Sequence, residues 1–290
     1  MDQTSDTPLG KPVIAFSTGS LHCYGLYRCF ALAKEAGFEA VEVMVDDRWD
    51  TRQAEYLASL RQQFAIEIAC LHSPFLAHIP GWKSDEISRL KETLRIAEAL
   101  DTRTVVTHLP TRWTRASLHL PFLRKSYHLH LPILGDGVYT RFLTEELHEF
   151  QAKTSVTIAI ENMPYNHRIL GRRASFYGMN NLKELERFDN INFDTTHLAT
   201  HKQDILAVYD RLGPRVAHVH LSNYKEGREH QLLWDGVLPL DKFLRRLATN
   251  RFRGVVSVEL EPGALEAGSE KRVKRNLKRS YEFCREHLGL

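Results

Sequence analysis

Residues 156–164 have the sequence VTIAIENMP, a short apolar run that ends in a carboxylate, Glu161, and a turn. A near-continuous apolar run of this length predicts a parallel β-strand buried on both faces. Besides this run, Val156–Glu161, the same form recurs along the chain at Val13–Phe16, Ala40–Val45, Ala65–Leu71, Thr104–His108, Ile191–Asp194, Val216–His220 and Val255–Glu259. The sequence therefore predicts eight buried parallel strands.

Amphipathic stretches follow these runs and predict helices. They are Leu26–Ala36, Gln53–Gln63, a helix from an N-cap at Ser84 to about Leu100, Arg141–Lys153, Leu182–Arg187, Asp204–Leu212, Asp241–Ala248 and Glu270–His287. Eight strand–helix units in 290 residues favour an α/β fold, a single (β/α)8 TIM barrel, over an open doubly wound sheet. The sequence contains neither a GxGxxG nor a GxxxxGK[ST] motif, so a nucleotide-binding open sheet has no support. We expect one domain over residues 1–290, with a long loop after the fourth strand at about 109–139.

The composition limits the classes of partner. Lys and Arg total 39 against 36 Asp and Glu, and the net charge of +3 argues against a protein that coats nucleic acid, although a local basic groove stays open. The four cysteines have no zinc-ribbon or disulfide-scaffold spacing, and the polar N-terminal stretch is unlike a targeting peptide. No apolar run approaches the ~18 residues of a membrane helix. We therefore expect a cytoplasmic protein without a membrane partner.

The loop after the fourth strand has an unusual composition. Its segment Leu109–Gly135 contains no acidic residue but several arginines, histidines and aromatic residues. Long loops at this end of a barrel commonly cover active sites, so we expect a lid or a subunit interface. The alternative is a clasp for an anion or a nucleic acid, formed by the cationic and aromatic side chains.

Acidic and imidazole side chains occupy the ends of six successive predicted strands. They are His72, His108, Glu161, Asp194 (followed by His197), His220 and Glu259. In a barrel the carboxyl ends of the strands converge on one mouth. A buried ring of carboxylates there would repel and lose hydration at high cost unless a cation neutralised it. The pattern therefore predicts a metal site.

The predicted metal ligands are Glu161, Asp194, His220 and Glu259. Three carboxylates and one imidazole favour Mn²⁺, Mg²⁺ or Co²⁺. An outer set of imidazoles would either bind further ions, giving a Zn²⁺ cluster, or hold substrate oxygens: His72, His108, His197 and His230. Two assignments stay open. His218 shares a strand face with His220 and is either a neighbour of the metal ligand or a residue that fills the barrel, and Glu261 could take the inward position in place of Glu259.

Five segments together resemble the xylose-isomerase-like TIM-barrel superfamily, which includes sugar isomerases, ketose 3-epimerases and type IV apurinic endonucleases. They are LHSPF (71–75), ENMP (161–164), FDTTH (193–197), HLSNYKEGREHQLLWDG (220–236) and GVVSVELEP (254–262). The resemblance covers essentially the whole chain. It implies metal ligation by Glu161, Asp194, His220 and Glu259. It also implies that His72, His108, His197 and His230 hold outer zinc ions, as in the endonucleases, or contact the substrate, as in the sugar enzymes.

Two motifs depart from the superfamily pattern. The endonucleases have an aspartate ligand two residues before the histidine that matches His230, and this chain has Arg228 there. Because a guanidinium cannot ligate zinc, the third zinc site looks incomplete, and Arg228 suits a substrate phosphate or carboxylate. The usual PGxG turn is LWDG here, ending at Gly236.

Three functions remain in view. The first is a metal-dependent isomerase or epimerase of a sugar or sugar phosphate, in which Glu161 and Glu259 transfer a proton through an enediolate. The second is a zinc-dependent phosphodiesterase acting on DNA. The third is a related lyase, dehydratase or binding protein. One bound ion per chain would favour the first, two or three the second, and none the third. The resemblance also makes a homo-oligomer a plausible assembly.

Overall fold

The computed structural model describes residues 11–76, 78–120, 125–132, 137–165, 167–169 and 172–290, with the backbone alone described in the parts of 113–132 and 167–174 that it covers. Eight parallel strands close into a barrel in sequence order. They are β1 (Val13–Ser17), β2 (Ala40–Met44), β3 (Glu67–His72), β4 (Thr104–His108), β5 (Thr157–Glu161), β6 (Ile191–Asp194), β7 (Val216–Leu221) and β8 (Val255–Val258). The predicted TIM barrel is confirmed, and each strand lies within two residues of its predicted bounds.

The helices lie between consecutive strands, except the last one, which follows β8. They are α1 (Leu26–Ala36), α2 (Ala54–Phe64), α3 (Glu86–Ala99), α4 (Gly137–Arg141), α5 (Leu147–Gln151), α6 (Leu182–Leu185), α7 (Thr195–Thr200), α8 (Ile205–Leu212), α9 (Leu240–Thr249) and α10 (Glu270–Leu288). The prediction of one regular helix over Arg141–Lys153 was wrong, because the segment begins at Gly137 and a π-helical turn, Phe142–Glu146, separates α4 from α5.

The N-cap of α3 is also corrected. The cap is Asp85 rather than Ser84, and its Oδ1 accepts a hydrogen bond from the Ser88 N–H at 2.8 Å. Ser84 instead provides its carbonyl oxygen to the Arg89 guanidinium. A carboxylate is favourable at a helix N-terminus because it meets both the free N–H groups and the positive end of the helix dipole.

Three two-stranded antiparallel sheets follow barrel strands at the carboxyl end, within the described residues. They pair Trp113–Leu120 with Lys125–Pro132 after β4, His167–Ile169 with Arg172–Ala174 after β5, and Asn223–Lys225 with Arg228–Gln231 after β7. The first of these lies inside the long loop predicted at 109–139. Because the side chains of residues 113–136 are not described, the lid, interface and clasp interpretations stay predictions.

The two faces of the barrel strands differ in size and polarity. The outward face carries large side chains such as Ile158, Phe193 and Val256, which pack under the helices. The inward face instead carries small residues, including Ala15, Ala40, Cys70 and Ala159. Small residues leave room inside the barrel, and polar side chains occupy it: Ser17, Glu42, Asn192, His218, His220 and Ser257, all 0–1% exposed. Within the described residues no helix combines the length and the apolar character needed to cross a membrane.

Candidate metal centre

Four side chains from neighbouring strands meet at the carboxyl end of the barrel. Glu161 and Asp194 are the last residues of β5 and β6, His220 lies in β7, and Glu259 directly follows β8. Asp194 and His220 are register partners across β6 and β7. One ligand atom from each of the four lies within 4.8 Å of every other. The structure therefore brings together the four residues that the sequence predicted as metal ligands.

The Nδ1 atom of His220 lies at the centre of this group. It is 3.1 Å from Oε1 of Glu161, 3.0 Å from Oε2 of Glu259 and 3.9 Å from Oδ2 of Asp194. The Asn192 amide nitrogen lies 2.9 Å from the same atom. Three carboxylates around one imidazole nitrogen form an anionic group that suits a hard divalent cation.

The two oxygens of Asp194 have different environments. Oδ1 accepts hydrogen bonds from the His197 N–H at 2.7 Å and the Thr196 hydroxyl at 2.9 Å, which makes Asp194 the N-cap of α7. Oδ2 is buried and has no hydrogen-bond partner in the described part of the chain. A buried carboxylate oxygen without a partner is costly, and a bound cation would remove that cost. This observation supports the fit of a metal to the residues present.

The protonation equilibria of the group reflect the same charges. Burial opposes the charged form of His220, but the charges of Glu259, Glu42 and Glu161 outweigh burial and raise its pKa well above the usual value. Burial would raise the pKa of Glu161, yet the charge of His220 and hydrogen bonds from His108, His220 and His72 hold it well below the usual range. Without a metal, a proton on His220 therefore compensates part of the negative charge.

Two more predicted imidazoles contact the second oxygen of Glu161. Nε2 of His72 lies 3.2 Å and Nε2 of His108 lies 3.0 Å from Oε2. The His72 ring is stacked on His220 with centroids 5.5 Å apart, and its Nδ1 lies 2.9 Å from the Ser73 carbonyl oxygen. Glu161 thus bridges the four-ligand group and this imidazole pair.

A third group shares Asp194 with the first. Ligand atoms of Asp194, His197 and His230 lie within 4.8 Å of one another. Nδ1 of His197 is 2.8 Å from the Asn162 carbonyl oxygen and 3.7 Å from Asp194 Oδ2. His230 is half-buried, and its Nδ1 lies 3.2 Å from the Ser222 hydroxyl. All four predicted outer imidazoles therefore lie beside a predicted ligand.

Arg228 and Glu261 are both exposed and do not belong to the groups described above. The Arg228 side chain is 64% exposed, and its guanidinium lies 3.7 Å from the Glu226 carboxylate. Glu261 is exposed, and its backbone N–H donates to the His230 carbonyl oxygen at 2.8 Å. Of the two carboxylates left open by the sequence, Glu259 is the one in the four-ligand group.

Sequence reasoning missed Glu42, which lies in β2 and is 0% exposed. Its Oε2 is 3.0 Å from Nε2 of His220 and 2.7 Å from Nε2 of His218. Burial would raise the pKa of Glu42, but the charges and hydrogen bonds of the two imidazoles keep it well below the usual range. The available signal was a single carboxylate inside the apolar run AVEVM, on the same strand face as Ala40 and Met44.

A cavity of about 440 Å³ opens above the centre. Its wall includes Glu259, His230, Arg48, Met44, Phe75 and Leu260. Phe75 is 58% exposed, and its ring lies nearly parallel to His108 with centroids 6.0 Å apart. Arg48 forms an ion pair with Asp46, another residue of the wall, at a guanidinium–carboxylate distance of 2.7 Å. The volume and the mixed lining suit a small polar molecule.

Residues 30–286 match the sequence profile of the xylose isomerase-like TIM barrel family. The chain belongs to that family. Among its relatives, an uncharacterized protein of Mycobacterium leprae (strain TN) is 24% identical over 307 residues, covering 96% of this chain and 99% of the relative. Family membership agrees with the superfamily suggested by the five motifs.

Solved structures share the fold. A D-allulose 3-epimerase from Methylomonas sp., in complex with D-allulose, superposes with a TM-score of 0.66 and 15% identity, covering 96% of this chain and 98% of that one. An AP endonuclease of family 2 from Brucella melitensis superposes with a TM-score of 0.62 and 16% identity, covering 87% and 93%. At these identities the likeness concerns the fold, so the reaction has to be argued from the site.

Proposed function

We propose that the protein is a divalent-metal-dependent isomerase or epimerase of a sugar or sugar phosphate. The observation that carries the proposal is the pair of carboxylates, Glu161 and Glu259, that approach the same atom of His220 at 3.1 and 3.0 Å. Of the two, Glu259 lines the cavity. Two carboxylates near one reacting carbon can remove and return a proton. One structure with the same fold is a D-allulose 3-epimerase, whose reaction agrees with this chemistry.

The residues present fit a divalent cation, because the donor set is rich in carboxylates and includes the unpartnered Oδ2 of Asp194. Glu161, Asp194, His220 and Glu259 would hold it. A bound cation would act as a Lewis acid on the substrate's carbonyl and hydroxyl oxygens. Mn²⁺, Mg²⁺ and Co²⁺ match the hard donors best, while Zn²⁺ would gain from the surrounding imidazoles.

The two glutamates have environments suited to different parts of the proton transfer. Glu259 lines the cavity and its side chain is 16% exposed, so it can reach a carbon-bound proton. Glu161 is 2% exposed, and His72 and His108 hold its Oε2. One carboxylate takes the proton from the carbon next to the carbonyl, whose electron pair forms the enediolate. The other, in its acid form, returns a proton to the carbon.

Neighbouring side chains would orient the sugar. His230 lines the cavity and can hydrogen-bond a substrate hydroxyl, and the buried His197 lies next to it with ring centroids 5.5 Å apart. Phe75, Met44 and Leu260 form an apolar wall against which the C–H face of a sugar can pack.

The test is solvent-deuterium exchange. The metal-loaded protein is incubated in D₂O with a panel of ketohexoses and their phosphates, and deuterium at the carbon next to the carbonyl is read by NMR. We expect exchange with the wild type and with Glu261→Gln, whose exposed carboxylate lines the same cavity, and none with Glu259→Gln. Full exchange in Glu259→Gln would overturn the proposed role.

A second candidate function is a zinc-dependent phosphodiesterase resembling a type IV apurinic endonuclease. The observation that favours it is that two further groups of possible ligands adjoin the first, one around Glu161 and one around Asp194. Such a centre would hold two or three ions. Cleavage of an abasic DNA duplex with two or more zinc ions per chain would select this function, and one ion per chain without cleavage would select the isomerase or epimerase.

A further inference from the structure

Beneath the four-ligand group, the barrel contains a second layer of ionisable side chains. Glu42 from β2 and His218 from β7 are both 0% exposed, as is His220. The neighbouring interior residues are small, including Cys70, the register partner of Glu42 on β3. A carboxylate in such a place loses its hydration entirely, so its polar contacts must compensate.

The two ring nitrogens of His220 face different partners. Nδ1 is hydrogen-bonded to Oε1 of Glu161 in the four-ligand group at 3.1 Å, and Nε2 is hydrogen-bonded to Oε2 of Glu42 at 3.0 Å. Carboxylate oxygens at neutral pH only accept hydrogen bonds, so without a metal both nitrogens donate, and a cation among the four ligands would replace the proton on Nδ1 only. A neutral imidazole carries one N–H, and its other nitrogen has the free lone pair that can bind a metal.

We propose that Glu42 is a positioning residue of the metal centre, which holds the proton of His220 on Nε2 and thereby commits Nδ1 to the metal. The proposal rests on the metal centre proposed above. The negative charge of Glu42 also makes the imidazole a stronger electron donor. Its effect reaches the cation through His220, because Glu42 does not belong to the four-ligand group.

His218 fixes the position of that carboxylate. Its Nε2 lies 2.7 Å from the same Oε2 that accepts from His220. The rings of His218 and His220 meet edge to face with centroids 5.2 Å apart. Glu42 is therefore confined between two imidazoles of one strand, and its carboxylate cannot turn away from His220 without losing both contacts.

The same three residues also satisfy the spacing of a metal site, since their ligand atoms lie within 4.8 Å of one another. We favour the hydrogen-bonded arrangement because Oε2 of Glu42 already accepts a hydrogen bond from Nε2 of His220 at 3.0 Å, which places the proton on that nitrogen. A separate ion held by Glu42, His218 and His220 would bind Nε2 of His220 in its deprotonated form. The two arrangements therefore predict different protonation of that nitrogen.

The first test measures Mn²⁺ affinity by competition with a chelator. We expect Glu42→Gln to bind Mn²⁺ about ten- to a hundredfold more weakly than the wild type. Glu42→Asp should recover part of the loss because it restores the charge. The matched control is Glu39→Gln, an exposed carboxylate three residues earlier, which should bind as the wild type does. If the wild type bound Mn²⁺ tightly and Glu42→Gln bound it equally tightly, the positioning role would be overturned while the proposed metal centre would stand.

The second test reads the proton directly. In ¹⁵N spectra of the Zn²⁺-loaded protein we expect His220 to show a protonated Nε2 and a metal-bound Nδ1, and Glu42→Gln to broaden or shift the Nε2–H signal. Metal content should stay the same in His218→Gln. Loss of one ion per chain in that variant, or a proton-free Nε2, would overturn the proposal in favour of a separate ion. A wild type that binds no divalent ion would overturn the metal centre and the positioning role together.

Discussion

Two groups of side chains that could hold a metal ion share Asp194 but differ in completeness. The inner group adds Glu161, His220 and Glu259, and three of its four members are buried. The outer group adds only His197 and His230, and His230 is half-buried. The inner group therefore has three carboxylates to balance a divalent cation, whereas the outer group has one carboxylate that it must share.

Because the two groups differ in the number of carboxylates, we expect similar side chains at the same end of the barrel to have different roles. Charge balance favours the first ion in the inner group, because desolvated carboxylates gain most from a cation. Once an ion is bound there, Asp194 has less negative charge to offer to the outer group. We therefore expect the imidazoles of the outer group to hydrogen-bond a substrate rather than a second ion.

The largest expected effect follows removal of an inner carboxylate. Glu161→Gln should weaken divalent-metal binding by more than about a hundredfold, because removing one partner of a buried charged group leaves the others uncompensated. Turnover should fall to background, and Glu259→Gln should behave alike. Metal titration with elemental analysis is the measurement, with Glu261→Gln as the matched control. Full activity and metal content in either inner variant would remove the assignment.

The next effect concerns the outer group. His230→Ala should leave the metal stoichiometry unchanged while lowering kcat/KM for a small sugar about tenfold, the cost of one hydrogen bond to a substrate hydroxyl. Elemental analysis and steady-state kinetics are measured on the same preparation. If the variant lost one ion per chain, the two groups would be equal as metal sites and the phosphodiesterase would become the better proposal.

A smaller effect is expected at the cavity wall. Phe75→Ala removes an exposed ring that stacks on His108, and we expect KM to rise about fivefold with little change in kcat. Phe75→Tyr keeps the ring and should behave as the wild type does. An unchanged KM in Phe75→Ala would show that the substrate does not pack on this wall, whatever its effect on the metal.

The barrel and the inner group could be predicted because both depend on local regularities. Buried parallel strands are apolar on both faces, and their carboxyl ends meet at one mouth, so Glu161 and Asp194 were recognisable as strand-end residues. Glu42 was missed because it lies within a strand, where its partners come from β7, a strand that is not adjacent to β2 in the barrel or in the sequence. Helix α7 was missed because its capping by Asp194, rather than apolar periodicity, begins it.

The smallest expected effect concerns the pKa of a histidine that has no carboxylate partner among the described residues, in contrast to His220. His201 directly follows α7, and its Nε2 donates to the Met163 carbonyl oxygen at 2.8 Å. Burial lowers its pKa from 6.5 to about 4, with a further contribution from His197 that opposes the effect of the hydrogen bond. The pKa of His220, surrounded by carboxylates, moves the opposite way.

As the pH falls, His201 therefore takes up a proton at a higher pH in the unfolded chain than in the folded protein. The contribution of neutral His201 to folding stability is complete above its unfolded pKa of about 6.5 and is lost as the pH falls toward about 4. Allowing for its partial exposure, we expect the wild type to lose about 1 kcal/mol more stability between pH 7 and pH 5 than His201→Gln, whose amide can keep the hydrogen bond. Urea unfolding of both metal-free proteins at the two pH values measures this difference, and the other histidines titrate equally in both. Equal losses would mean that His201 takes up its proton as readily in the folded protein as in the unfolded chain.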